Sequence, residues 1–182
     1  MNRVKGSALI PCVKAIKADK SGALDKLLTQ KTRDALSKLI LPSSWYDLDI
    51  YKNCLNALAE VGANNDEHII REWGRASSEA IMGKVYKSSI IKGDLVAAME
   101  RFGFVHKSLF SFGTLETDFI SDNEIIFSIG DFDVDFRALF YIMIGWLEKY
   151  IELCLGKPVQ AAFIEKSWEG KPLTRIQLTW AA

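Results

Sequence analysis

Apolar positions recur along this chain in two rhythms, and the change from one to the other divides it. Up to Phe112 the spacing is mostly three to four residues, the mark of helices with one apolar side. Ser7 to Ile16 is a largely apolar run ended by the polar turn Lys17 to Gly22, and it reads as helix despite Pro11. Leu24, Leu27 and Leu28, then Ala35, Leu36, Leu39 and Ile40, predict two short helices within 23–40. The polar break from Thr29 to Thr32 separates them, and Thr32 is the expected cap of the second. Beyond Pro42-Ser43-Ser44, the stripe Ile50, Cys54, Leu55, Leu58 and Val61 predicts a helix over 47–61, which Gly62 can end in a left-handed conformation. Asn64-Asn65-Asp66 is placed to cap the next helix, whose Ile69, Ile70, Trp73, Ala76, Ala80 and Ile81 fall near one side. Its small residues Gly74, Ala76, Ser77, Ala80 and Gly83 would permit close approach by a neighbour. A further helix starts at Leu95 after Gly93-Asp94, Gly103 is expected to end or bend it, and an aromatic stretch follows through Phe104, Phe110 and Phe112.

After Phe112 strand-like runs take over. Thr114 to Ile120 and Glu124 to Ile129 predict a hairpin around Ser121-Asp122-Asn123. A long helix is predicted over 136–155, with Phe140, Ile144, Leu147, Ile151 and Leu155 on one side and Gly156-Lys157-Pro158 as its stop. Two strands, 159–167 and 173–180, close the pattern around the turn Trp168 to Pro172. The fold class expected is α+β: N-terminal helices, then a small antiparallel sheet in strand-strand-helix-strand-strand order, packed on the long apolar helix. No internal repeat interrupts it, so residues 1–182 read as one domain.

Composition narrows the function classes. The chain has 182 residues, 49% hydrophobic and 11% aromatic, enough to bury a substantial core. Lys plus Arg equals Asp plus Glu at 23 each, so no net field favours nucleic acid or an anionic membrane surface. Cys12, Cys54 and Cys154 show no CxxC spacing and follow no signal peptide, which fits reduced thiols of a cytoplasmic protein. The apolar run from Ala138 to Leu147 is far shorter than the roughly 20 residues of a membrane helix, and Glu148 and Lys149 follow it.

Signatures of chemistry are sparse. Gly83-Lys84 would need glycine at Ser78 to complete a phosphate loop, and it lies in a helical stretch. Asp131, Asp133 and Asp135 alternate like the opening of a calcium loop, but Phe136 takes the glycine position and Ile142 the closing glutamate position. The reading adopted is a solvated turn that sets negative charge at the start of the following helix. An enzyme holding a divalent cation on these aspartates is the remaining catalytic alternative. His68 and Glu72 lie one helical turn apart as a surface pair without a third ligand. His106 carries an imidazole suited either to a haem iron or to a hydrogen bond within the fold. The five tryptophans are never interleaved with a basic run, so they read as core filling. With His68 and His106 the only histidines, no nucleophile–base–acid set assembles, and no catalytic or metal residues are assigned.

Trp45-Tyr46 before a helix, Gly74-Arg75-Ala76, the hairpin, Gly145-Trp146-Leu147-Glu148 and the closing Leu178-Thr179-Trp180 together resemble an uncharacterised Myxococcus-type family. That family looks related to the haem nitric-oxide/oxygen-binding domains and the 4-vinyl reductase domain, in a superfamily of small-molecule-binding and vesicle-transport proteins. The resemblance spans nearly the whole chain. Together with the aromatic clustering, it implies a cytoplasmic ligand-binding or sensory domain that encloses a small apolar molecule between the aromatic segment, the long helix and the sheet, lined by Phe102, His106, Phe110, Phe140 and Ile144. It also disfavours haem, because haem-binding members hold the propionates with Tyr-x-Ser-x-Arg, and Phe127, Ile129 and Asp131 stand at the corresponding positions. His106 would match the proximal ligand, though it lies closer to that strand than the family's spacing. The alternative is an interaction module, a homodimer or hetero-oligomer formed through an exposed apolar helix face as in the transport relatives.

Overall fold

The computed structural model describes residues 2–84 and 90–182, and the chain divides into two compact units. The first runs to Glu67 and takes in His106–Phe112; the second comprises His68–Val105 and Gly113–Ala182.

In the first unit, β1 (Arg3–Lys5) pairs antiparallel with β2 (Trp45–Asp47), Val4 opposite Tyr46. Strands of three residues are too short to show alternation, so the sequence pattern does not reveal them. Helix α1 (Gly6–Ala18) contains Pro11 and buries Leu9, Cys12, Val13 and Ile16. It packs on α4 (Leu48–Ala63), which buries Tyr51, Cys54 and Leu55 among others. Two short helices, α2 (Ala23–Leu27) and α3 (Gln30–Leu36), also lie against α4. Asn53 of α4 secures the break between them: its Oδ1 accepts from the Thr29 N–H at 2.8 Å and its Nδ2 donates to the Leu27 carbonyl at 3.1 Å. The cap of α3 is Thr29, whose side chain accepts from the Thr32 N–H, and not Thr32 itself. The left-handed stop of α4 is Asn64, φ 49°, two residues past the expected Gly62.

His106–Phe112 completes this unit along β1. Ser111 N–H donates to the Arg3 carbonyl at 3.0 Å, Arg3 N–H donates to Ser111 Oγ at 2.8 Å, and Val4 bridges Phe110. The segment thus supplies part of the ladder that three residues of β1 could not complete alone.

The second unit has the expected architecture. Strands β3 (Thr114–Ser121), β4 (Glu124–Gly130), β5 (Val159–Glu165) and β6 (Thr174–Trp180) form one antiparallel sheet in the order β3-β4-β6-β5. Period-two burial is plain in β6, where Thr174, Ile176, Leu178 and Trp180 are buried and the residues between them are not. Helix α7 (Arg137–Leu155) runs between β4 and β5, packs on β5 and buries Leu139, Phe140, Ile144, Leu147, Tyr150 and Ile151 almost completely. Gly156 ends it at φ +70°. Strand β5 stops at Glu165, short of the expected Ser167, because a 3-10 turn over Ser167–Glu169 takes over. Helix α6 (Leu95–Leu109) passes through Gly103 without ending there, and its last turn belongs to the first unit.

Helix α5 (Glu67–Lys84) presents a different face from the one its hydrophobicity suggests. Ile70, Gly74, Ser78 and Met82, each four residues apart, are buried, whereas Ala76 and Ala80 are exposed and Ile69 is 41% exposed. Backbone proximity explains the shift. A Cβ on Gly74 would overlap the Ile142 carbonyl, and one on Gly145 would overlap the Arg71 carbonyl, so α5 and α7 meet main chain to main chain. Around that contact Glu148, only 8% exposed, receives Arg71 at 2.7 Å and Arg75 at 2.7 Å. Arg75 also reaches Glu152 at 3.0 Å, and Arg71 donates to the Ala161 carbonyl on β5 at 2.9 Å. Among the described residues no helix is long and apolar enough to cross a membrane.

Candidate functional site

Helical spacing of four sets Phe102, His106 and Phe110 in register along α6 and just beyond its end. The division into units falls between the first and second of them.

In the first unit His106 and Phe110 stack, ring centroids 5.0 Å apart. His106 Nε2 lies 2.9 Å from the Phe112 carbonyl oxygen. A carbonyl only accepts, so this nitrogen carries a proton and donates it. Burial pushes the His106 pKa below its usual value and Lys107 adds to the depression, while the bond to Phe112 opposes both. Phe110 also meets Phe112 at 5.5 Å and Tyr51 at 6.2 Å. Tyr51 is buried beside Cys12 and Cys54; burial drives its phenol well above the ordinary range and both thiols up to about 12. Thiols held so far from ionisation are poor nucleophiles.

In the second unit Phe102 contacts Phe127 edge-on at 5.4 Å, Trp146 at 5.2 Å and Tyr150 at 5.8 Å. Tyr150 donates its hydroxyl to the Ala98 carbonyl at 2.8 Å, which ties α7 to α6. Phe140 meets Phe132 at 5.6 Å and Trp168 at 4.8 Å, and Ile144 is 1% exposed on the same helix. Of the five predicted lining residues, His106 and Phe110 therefore touch each other, while Phe102, Phe140 and Ile144 are core residues of the other unit. Trp146, Tyr150, Trp168 and Tyr51 also belong to these aromatic clusters, beyond the residues that the sequence singles out as lining. Trp146 and Tyr150 stand four apart and stack at 5.6 Å, a spacing that is itself a signal.

Phe127, Ile129 and Asp131, the residues that the sequence comparison sets against the propionate motif, are apolar or acidic. Phe127 and Ile129 are 2% and 1% exposed on β4, and Asp131 follows them at φ 56°. Asp133 accepts from the Asp135 N–H at 3.0 Å, shaping the turn ahead of α7. Among the described residues no three His, Cys, Asp or Glu side chains gather as a group able to hold a metal ion, so the cation alternative for Asp131, Asp133 and Asp135 finds no geometry. His68 and Glu72 are both exposed on α5, where Glu72 lies 3.7 Å from Arg75. Gly83-Lys84 is the end of that helix, not a phosphate loop.

No family model matches the chain, and no curated protein matches it in sequence. Solved structures do match in fold. An Fe(II) unliganded H-NOX protein from K. algicida, carrying a point mutation, aligns with a TM-score of 0.69 at 14% identity, covering 98% of this chain and 97% of that one. An oxygen-binding H-NOX domain related to soluble guanylate cyclases, in its oxygen complex, aligns at 0.66 and 15% identity over 98% and 95%. An H-NOX protein from S. oneidensis in the Fe(II)NO ligation state aligns at 0.67 and 9% identity over 98% and 99%. The chain has the H-NOX fold.

Proposed function

We propose that this chain is a cytoplasmic ligand-binding or sensory module of the H-NOX type, acting as one domain over residues 1–182, that encloses a small apolar molecule in place of haem. Kinship with the Myxococcus-type and 4-vinyl reductase families is part of the proposal. End-to-end likeness to H-NOX structures supports the sensory half of it. The observation that carries the other half is the burial of Phe127 and Ile129, with Asp131 beyond them, where haem-binding relatives place two hydroxyls and a guanidinium. A propionate set there would meet two hydrocarbon side chains and a carboxylate of its own sign, so the residues present do not fit haem.

The proposed lining is Phe102, His106, Phe110, Phe140 and Ile144, a set of aromatic and aliphatic surfaces with one hydrogen-bonding ring. Its chemistry suits a flat or branched apolar ligand. Native mass spectrometry of the protein purified from cells, with an absorption spectrum of the same sample, provides the test. A retained apolar molecule and no Soret band are expected; a Soret band overturns the haem-free reading. With that ligand added, the melting temperature rises, and Phe110→Trp abolishes the rise by filling the space. No shift across a broad panel of apolar ligands would sink the binding reading itself.

A further inference from the structure

The edge of the sheet at β3 carries no further strand among the described residues of the second unit. Strand β3 has eight residues and pairs only with β4 among the described residues. In an antiparallel ladder alternate residues turn their N–H and C=O groups away from the partner, so β3 offers a row of them to solvent over about 26 Å. Glu116, Asp118, Phe119 and Ile120 are all exposed along it, the last two at 46% and 52%.

Charge makes this edge selective. No lysine or arginine occurs between Lys107 and Arg137, although the chain as a whole is balanced at 23 of each sign. The hairpin β3–β4 carries Glu116, Asp118, Asp122 and Glu124, and neither Glu116 nor Asp118 has an ion-pair partner among the described residues. The opposite edge differs: Glu165 of β5 lies 3.9 Å from Arg175 and is partly neutralised. Edge strands commonly carry charge to prevent edge-to-edge association. Here the charge is of one sign, so it repels a second copy of β3 and attracts a basic strand.

We infer that β3 is a docking edge for an extended basic segment of a partner protein, which adds to the sheet as a fifth strand. Main-chain bonds to β3 supply affinity, lysine or arginine side chains pair with Glu116 and Asp118, and an apolar residue covers Phe119 or Ile120. The probe is a peptide of alternating lysine and valine, about eight residues long to match β3. Titrated into the full chain, it is expected to bind and to slow hydrogen exchange of the β3 amides. N-methylation of alternate peptide nitrogens, or Glu116→Lys with Asp118→Lys in the protein, is expected to weaken binding by about tenfold or more. Both substitutions are on the exposed edge, and an unchanged melting curve establishes that the variant is folded. Equal binding by the N-methylated peptide reduces the effect to charge attraction and overturns the proposal. So does affinity that survives charge reversal, or protection of β3 by self-association of the chain without peptide.

Discussion

Helices pair in both units, but they do so by different means. In the second unit α5 and α7 touch through Gly74 and Gly145, with Glu148 drawn between Arg71 and Arg75 at the margin of the contact. In the first unit α1 packs on α4 with Cys12 and Cys54 near Tyr51, all of them buried and un-ionised. Where main chains meet, no volume remains for side chains between them, and specificity passes to long charged side chains that reach around the contact. Where side chains meet, shape complementarity holds the pair and charge is absent. The first kind of contact should fail when volume is added, the second when volume is removed.

Gly145→Ala is the most direct way to break this contrast. Its methyl group has no place beside the Arg71 carbonyl, and we expect a loss of about 3 kcal/mol in chemical denaturation, with Gly74→Ala close behind. Glu148→Ala leaves two guanidinium groups facing a low-dielectric margin; because both arginines are about a quarter exposed, the expected loss is about 2 kcal/mol and shrinks in high salt. A loss independent of salt would mean that Glu148 acts by packing. In the first unit Cys54→Ala should cost about 1 kcal/mol through the small cavity it leaves, with no salt dependence. Cys12 and Cys54 should also resist a thiol reagent at pH 8 until the chain unfolds, since both thiols titrate only at about 12.

The smallest expected effect is a pH slope. Burial holds the folded His106 pKa below its ordinary value, so the unfolded chain takes up that proton first. Stability is therefore full above about pH 6.5 and declines as the pH falls below that toward the folded pKa. Thermal melts of His106→Gln across this range should lack that part of the decline. A slope unchanged by the substitution would assign it to other groups.

Elements with strong local rhythm are legible in the sequence, and those made by distant pairing are not. The long helix α7, its glycine stop, the hairpin β3–β4 and the closing strands all follow from hydrophobic period and turn residues. Strands β1 and β2 exist only because Arg3–Lys5 finds Trp45–Asp47 and Ser111, partners that no local window contains. Hydrophobicity misplaces the buried face of α5 because it gives weight to Ile69 and Ala76 and none to Gly74 or Ser78, yet close helix approach buries the smallest residues first. The charge network there does leave a trace in the sequence: Arg71 and Arg75, and Glu148 and Glu152, are two doublets at helical spacing with opposite sign. For the proposed lining, the apolar character of each position can be read from the sequence. The boundary between Val105 and His106 cannot, because α6 is continuous through it and only tertiary packing divides it.

The hydrogen bonds between Arg3 and Ser111 join residues 108 positions apart. During synthesis the first unit therefore waits for a segment made long after its own helices, and a nascent chain halted before Ser111 presents β1 with one side unclosed. Translation must pass Phe112 before the ribosome has delivered everything that unit needs to close, so a chaperone guarding the emerging chain would be needed longest at β1.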